Sequence, residues 1–258
     1  LVISAKAEIM YSERIELIKT VITDIVINMT RNLDVATKNE LVGKGKTNPR
    51  EYRIDVYHCD PKLRSKDVWG ESYEYLSDIT GWEFLQSSLT SDGRPFASAT
   101  FGVGGTDVVP RTSICIYDIV CGPLEFGDYL GESIFVHEFS HTIMEVAILL
   151  AHPEWYAEFL RISSSFNSGI GASICPGAYH CNHRELFAEA TQVWFSVTTR
   201  SDVVQFISSV EDMRQITIPN DSGTSTTLYD FMTKVYGEPR ELCNVLQRFE
   251  QCSGKCKH

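Results

Sequence analysis

The chain has 258 residues, of which 43% are hydrophobic and 22% charged, which is ordinary for a soluble globular protein. Its net charge of -11 disfavours contact with phosphate backbones, so we expect no nucleic-acid partner. Its apolar runs are shorter than the roughly 20 residues that cross a bilayer, so we expect no membrane span. The composition leaves the oligomeric state open.

The N-terminal half mixes helices and strands. Apolar side chains recur at helical spacing over residues 8–32, and residues 67–89 also read as a helix. Residues 52–57 alternate like a strand with one buried face, and residues 112–117 have strand character. The glycine-rich segment 102–105 lacks a following Lys-Ser/Thr, so it indicates a turn or an exposed strand edge rather than a phosphate loop.

The C-terminal half is richer in helices. Apolar patterning predicts four of them, over residues 129–150, 153–165, 184–199 and 239–249. A loop rich in Ser, Gly and Cys is predicted over residues 166–183. Long helices combined with few strands predict an α+β architecture.

The chain contains eight cysteines, and an even number predicts disulfide bonds and an oxidising compartment. Two glycosylation sequons, which begin at Asn28 and Asn220, agree with export. We therefore expect a secreted, extracellular, disulfide-bonded glycoprotein in a mature or trimmed form, with a cysteine pairing that the sequence does not reveal. A weaker alternative is a structural zinc site at Cys252, Cys256 and His258.

One motif on the predicted helix 129–150 carries metal chemistry, His137-Glu138-Phe139-Ser140-His141. The two histidines are four residues apart, so their imidazoles project from one helix face and can bind the same metal ion. Glu138 lies beside them, where it can face a water on that ion. Apolar flanking residues predict a buried helix, in which these polar groups would be costly without partners. The alternative is a pair of core histidines satisfied by hydrogen bonds.

A catalytic zinc takes three protein ligands and keeps a fourth position open. The extended metzincin pattern would need glycine at Met144 and histidine at Ala147, so the third ligand must lie elsewhere. Glu185 and Glu189 share one face of the predicted helix 184–199 among apolar residues, where acids need a nearby cation. We predict Glu185 as the ligand and Glu189 as the acceptor for the far nitrogen of a liganding histidine. Exchanged roles, or a solvated acidic face, are the alternatives.

Together with this motif, Tyr179, Asn182 and the segment Glu185-Leu186-Phe187-Ala188-Glu189-Ala190 resemble the anthrax lethal factor catalytic domain and the related Pro-Pro endopeptidases. These are gluzincins, zinc peptidases with two His ligands and one Glu ligand. The resemblance is specific over residues 134–195 and suggestive over residues 102–117. It implies a zincin-like α+β fold with a small mixed sheet, an active-site helix and a helical C-terminal lobe. A single domain, 1–258, would divide into lobes near residue 141.

The resemblance implies one Zn²⁺ bound by His137, His141 and Glu185, with Glu138 as the general base. The expected function is therefore a secreted endopeptidase that hydrolyses bonds in a peptide or protein substrate with a zinc-activated water. One rival is a non-catalytic zinc-holding binding or toxin module. Another is an aspzincin-type peptidase with a different third ligand, although its Gly-Thr-x-Asp-x-x-Tyr-Gly signature is absent. The last is a disulfide-stapled interaction domain without metal.

The resemblance also implies residues that handle the substrate. Tyr179 would stabilise the oxyanion of the transition state, and Gly104 and Gly105 would lie in an edge strand beside the substrate. Tyr179 is one residue nearer to the ligand Glu than the tyrosine of the family. His180 or His183 is therefore an alternative for the oxyanion role.

Overall fold

The structure is a computed structural model that describes residues 1–45, 52–57, 102–107, 110–120, 132–168, 182–198, 207–219 and 225–242. The helix predicted over residues 67–89 and the loop residues Tyr179 and His180 lie outside these ranges. So do seven of the eight cysteines. The eighth, Cys115, is fully buried and disulfide-bonded. The wider disulfide framework remains a prediction.

Four of the described strands form a small mixed sheet with the order β1-β2-β4-β3. Its strands are β1 (Val2–Ile3), β2 (Arg53–Tyr57), β3 (Gly102–Val103) and β4 (Arg111–Cys115). β1, β2 and β4 are parallel, whereas β3 runs antiparallel to β4 with Gly102 opposite Ile114. β3 is therefore an edge of the sheet within the described part of the chain.

Helices make up most of the remaining described structure. They are α1 (Ala5–Met10), α2 (Ile15–Thr30), α3 (Val35–Leu41), α4 (Ile116–Val120), α5 (Ile134–Thr142), α6 (Leu149–Ala151), α7 (Pro153–Ser168), α8 (His183–Trp194), α9 (Val210–Gln215) and α10 (Leu228–Tyr236). A short antiparallel pair, β5 (Thr217–Pro219) and β6 (Ser225–Thr227), precedes α10. The predicted α+β class is confirmed, with a small mixed sheet and predominantly helical structure.

The strand predicted over residues 52–57 is confirmed as β2, but the expectation of one buried face is wrong. Four consecutive residues of β2 are buried, so both faces are covered. The polar member of the run, Asp55, is 1% exposed and forms ion pairs with Arg53 at 2.7 Å and Arg111 at 3.7 Å. These partners lower the cost of burying a carboxylate on the second face.

The helix predicted over residues 8–32 is present but interrupted by a 3₁₀ turn at Ser12–Arg14. Four short helices were not predicted, namely α3, α4, α9 and α10. α3 begins after Asp34, whose carboxylate accepts the backbone N–H groups of Ala36 and Thr37. α10 begins after a capping box, in which Thr227 and the residue three positions later cap each other. The final helix predicted from residue 239 is wrong over residues 239–242, which are not helical.

α5 runs through the apolar core and continues as one helical stretch. A π-helical segment, Ile143–Ile148, follows α5 directly, and α6 extends the stretch to Ala151. The predicted lobe boundary near residue 141 therefore lies inside a continuous helix. One apolar cluster contains residues from both sides of that boundary, including Ile25, Phe139 and Phe231.

The same stretch has the length and composition of a membrane span. Residues Ile134–Ala151 have a mean hydropathy of 1.4 over 18 residues, and 67% of the stretch is buried inside the protein. The core helix of a soluble protein has the same properties, so this stretch is weak evidence for a membrane span.

Candidate metal centre

The N-terminus of α5 is fixed by a carboxylate from α4, the helix that follows β4. Asp118 accepts the N–H groups of Ile134 at 3.1 Å and Phe135 at 2.9 Å, and the Ser133 hydroxyl accepts that of Val136 at 3.4 Å. An acidic group at this end also complements the helix dipole. Burial raises the pKa of Asp118 to about 7, opposed by these two N–H donors. The sheet therefore sets the position of the helix that carries the motif.

We predict that Asp118→Ala lowers the free energy of unfolding by about 1–3 kcal/mol, because two buried N–H groups lose their acceptor. Urea denaturation of the metal-free protein measures the change. Asp118→Asn keeps one acceptor oxygen and is expected to cost less than the alanine variant. A change below about 0.5 kcal/mol for Asp118→Ala, typical of surface substitutions, would contradict the assigned role.

Glu185 lies in the first turn of α8, which packs against α5. Asn182 caps this helix, since its side-chain oxygen accepts the N–H groups of Arg184 at 2.9 Å and Glu185 at 3.0 Å. The next residues, Leu186 and Phe187, are buried in the apolar core. The cap and this buried face together fix the rotation of α8 and bring the Glu185 carboxylate toward α5.

The three predicted ligands converge on one point. The Nε2 atom of His137 is 3.1 Å from Oε2 of Glu185, and the Nε2 atom of His141 is 3.6 Å from Oε1 of the same carboxylate. The imidazole centroids are 4.8 Å apart, and the ring planes meet at 79°. One donor atom from each residue lies within 4.8 Å of the others. The side chains are 10–13% exposed, so the point lies just below the surface.

This donor set could hold a metal ion such as zinc. Ligand atoms about 2.0–2.1 Å from a tetrahedral ion lie about 3.3 Å from one another. The two histidine–glutamate separations, 3.1 Å to Oε2 and 3.6 Å to Oε1, are close to that value, although they end on different oxygens of the carboxylate. Two imidazoles and one carboxylate are also the ligands of many catalytic zinc sites, in which a fourth position remains for water. His137, His141 and Glu185 are the residues that would bind the ion.

The charges around this point favour a cation. Burial alone lowers the pKa of His137, but the carboxylates of Glu185, Glu138 and Glu189 raise it well above its usual range. Burial lowers the pKa of His141 to about 4, so its ring is neutral and can donate a lone pair at neutral pH. A divalent cation at the same point would offset the clustered negative charge.

Glu138 packs against the sheet edge and is not among the three donor residues. A Cβ atom on Gly102 would lie 2.5 Å from Cγ of Glu138, so β3 can approach α5 this closely only without a side chain there. The backbone N–H of Gly104 donates to the Glu138 carboxylate. Burial raises the pKa of Glu138 to about 7, which the positive charge of His137 opposes. A carboxylate with such a pKa can accept a proton near neutral pH.

The prediction that Gly104 and Gly105 belong to the edge strand is wrong. β3 covers only Gly102–Val103, and both glycines follow its end. Gly104 packs against α5, where an added Cβ would lie 2.4 Å from Cβ of His141. The N–H of Gly105 donates to the Thr142 hydroxyl at 2.7 Å. The N–H groups of both glycines are thus directed to side chains of α5.

On its Nδ1 side, the His137 ring contacts polar side chains, one of which, Gln192, was not predicted from the sequence. The Nδ1 atom lies 3.4 Å from Oε1 of Gln192 and 3.9 Å from Oε1 of Glu189. Glu185, Glu189 and Gln192 are spaced four and three residues apart, so they share one face of α8. Only this helical spacing could have indicated Gln192 from the sequence.

A second set of possible metal ligands, Glu132, His137 and Glu189, uses this Nδ1 side. An imidazole that binds a metal ion through Nε2 keeps its proton on Nδ1, so it cannot serve both sets as a neutral ligand. A metal ion in the second set would also have no contact with His141. We therefore interpret the second set as the surroundings of the His137 ring.

The oxyanion candidates are only partly described. Tyr179 and His180 lie outside the described residues, and His183 is the first residue of α8. The Nε2 atom of His183 lies 3.0 Å from the Tyr156 hydroxyl, which donates to Glu145 at 3.1 Å. Since the hydroxyl proton goes to Glu145, Nε2 of His183 is the donor in its contact with Tyr156. That nitrogen is therefore occupied within the protein.

Comparisons with known proteins add no relative. No protein-family model, no curated protein and no solved structure matches this chain. The chemistry of the site therefore has to be inferred from its own residues.

Proposed function

We propose that the chain is a zinc-dependent endopeptidase of the gluzincin type. One observation carries the proposal: His137, His141 and Glu185, from two packed helices, bring three donor atoms within 4.8 Å of one another. The resemblance of the two motifs to lethal factor and the Pro-Pro endopeptidases supports the same ligands. The α+β architecture, with the motif helix beside a mixed sheet, is compatible with a zincin-like fold.

Each chemical step of such a peptidase has a candidate residue in this chain. Bound zinc would supply a Lewis acid that lowers the pKa of water and polarises a carbonyl. Glu138 would take the proton of the attacking water and pass it to the departing amine. Its position next to the ligands, rather than among them, leaves its carboxylate for this transfer. Tyr179 remains our candidate for the oxyanion partner, and His180 remains the alternative.

The substrate would align along β3. This strand is an edge within the described residues, and the Gly102 side faces Glu138. A peptide that added to this edge would be held by main-chain hydrogen bonds, which require no particular side chains. Strand pairing would then place a scissile bond beside the general base, while the preferred sequence would depend on loops around the site.

The proposal is tested by incubating zinc-loaded protein with a diverse peptide library and identifying the products by mass spectrometry. We expect cleavage that a chelator abolishes and added zinc restores. Glu138→Gln is the matched inactive protein. Zinc binding without cleavage would favour the non-catalytic zinc-holding module. If elemental analysis found no bound zinc, the remaining interpretation would be a disulfide-stapled interaction domain that binds no metal.

The rate should fall in acid. Glu138 must be charged to accept a proton, and its pKa is raised to about 7 in the metal-free protein because of burial. The positive charge of zinc would lower that pKa, so we predict that kcat/KM falls with a midpoint at or below about pH 7. A pH–rate profile at saturating zinc measures the midpoint. A rate constant that stays flat from about pH 8 to pH 4 would contradict the role of Glu138 and the histidine ligands.

We also propose that the protein is secreted and disulfide-bonded. Its even number of cysteines supports this location, and Cys115 is disulfide-bonded. The first sequon fits glycosylation less well, because Asn28 lies within α2 and its amide donates to the Asp24 carbonyl at 2.8 Å. Free-thiol titration of protein from a secreting host tests the proposal, and several reactive thiols in the folded protein would contradict it.

A further inference from the structure

A neutral amide on α8, that of Gln192, contacts the His137 ring. Gln192 is fully buried, and its side chain makes three polar contacts. Its Nε2 atom donates to the Ser133 carbonyl at 3.0 Å and to Oε2 of Glu132 at 3.3 Å. Its Oε1 atom lies 3.4 Å from Nδ1 of His137.

The donors and acceptors in this group fit together in one way. An amide nitrogen carries two protons, and the carbonyl of Ser133 and the carboxylate of Glu132 are both acceptors. These two contacts fix the flip of the Gln192 amide, so its oxygen must face His137. An oxygen can only accept, and the facing Nδ1 must therefore carry a proton. In the neutral ring, the lone pair is then on Nε2, the atom that faces Glu185.

Ser133 connects the same amide to the backbone of the motif. Its carbonyl also accepts the backbone N–H of His137 at 3.1 Å. The amide of Gln192 thus contacts the His137 ring directly, and its backbone through a shared carbonyl. The segment after α8 also contacts Ser133. The N–H of Ser133 donates to the Val197 carbonyl at 3.0 Å, and the N–H of Val197 donates to the Gln192 carbonyl at 2.9 Å. Gln192 is therefore held on both sides.

We propose that Gln192 is a positioning residue that selects the Nδ1-protonated tautomer of His137 and so presents Nε2 to the metal ion. This inference rests on the proposed zinc site. It differs from the expectation that Glu189 has this role, because Glu189 is 3.9 Å from Nδ1 whereas Gln192 is 3.4 Å away. Glu189 instead contributes negative charge near the ring.

Two substitutions of Gln192 separate an acceptor role from a packing role, because the two roles predict opposite orders of zinc affinity for the variants. Gln192→Met has a similar length but no oxygen, so we expect the zinc dissociation constant to rise by about 10–100-fold. Gln192→Glu keeps an acceptor beside Nδ1 but loses the amide donors to Ser133 and Glu132, so we expect it to weaken zinc binding less than Gln192→Met does. If the role were only packing, Met would be tolerated, whereas Glu, next to Glu132 and Glu189, would be the more harmful change.

The experiment measures zinc affinity by chelator competition for wild type and both variants, with Thr191→Val as the control. Thr191 is fully buried on the same helix, but its hydroxyl donates to the Phe187 carbonyl away from the site. The control should bind zinc as wild type does. NMR of the zinc-loaded proteins should show an Nδ1 proton on His137 that exchanges slowly with water in wild type and quickly in Gln192→Met.

Wild-type affinity in Gln192→Met, or equal weakening in Gln192→Met and Gln192→Glu, would overturn the role of Gln192. The proposed function would stand in that case, because wild-type zinc binding and cleavage are measured separately. If wild type bound no zinc, the proposed function would fail, and the role of Gln192 would fail with it.

Discussion

Replacement of Glu138 by glutamine is expected to lower kcat by about 10²–10⁴-fold while zinc affinity stays close to that of wild type. The amide is isosteric and its oxygen can still accept the N–H of Gly104. It cannot take a proton from water, so the transition state loses about 3–5 kcal/mol of stabilisation. The ligand set contains His137, His141 and Glu185 but not Glu138, so the ion should remain bound.

The measurement pairs single-turnover kinetics with metal content for each protein. Glu40→Gln is the matched control, because Glu40 is also a buried glutamate, 5% exposed, but lies on α3 outside the site. This control should cleave at the wild-type rate. Turnover by Glu138→Gln at the wild-type rate would remove Glu138 as the base. Loss of zinc from that variant would mean that Glu138 supports the ligands directly.

The parts of the site that were predictable from sequence are those with a local pattern. His137 and His141 repeat at one helical turn, so their shared face follows from helix geometry alone. Glu185 lies on a different helix, but it was still predictable because it and Glu189 stand among apolar residues that would otherwise bury an unpaired charge. The structure brings this carboxylate within 3.1 and 3.6 Å of the two imidazoles.

The supporting residues were not predictable, because their roles depend on contacts between distant segments. Asp118 caps a helix that begins sixteen residues later, and nothing near Asp118 in the sequence signals this contact. Gln192 is a neutral residue inside a helix, and its position carries no capping, charge or metal-ligand pattern. Its importance depends on its contact with His137, 55 residues away in sequence.

The structure of the glycine segment 102–105 was only partly predictable for the same reason. Four residues with three glycines predict a flexible or exposed edge, but the pattern does not tell which glycines face a neighbouring helix. The pairing of Gly102 with Ile114 sets the register of β3, and the close approach of Gly102 and Gly104 to side chains of α5 depends on how the two elements pack. The residues predicted for the edge strand, Gly104 and Gly105, therefore lie just after β3 rather than in it.

Replacement of Glu185 by alanine is expected to weaken zinc binding by more than about 100-fold, since loss of an outer partner alone costs about 10–100-fold. Glu185 is the carboxylate that faces Nε2 of both His137 and His141. Without it, two imidazoles would hold the ion and the negative charge at this point would fall. Chelator competition measures the affinity, and elemental analysis of dialysed protein checks the stoichiometry.

Glu189→Ala is the decisive comparison, because Glu189 lies one turn further along the same face of α8 and is equally buried at 8% exposure. An ion bound at Glu189 would contact His137 through Nδ1 and could not reach the group that contains His141. The loss of affinity should therefore be larger for Glu185→Ala. The reverse order would exchange the roles of the two glutamates and move the ion to the Nδ1 side of the ring. There it would displace the proton that Gln192 is proposed to hold.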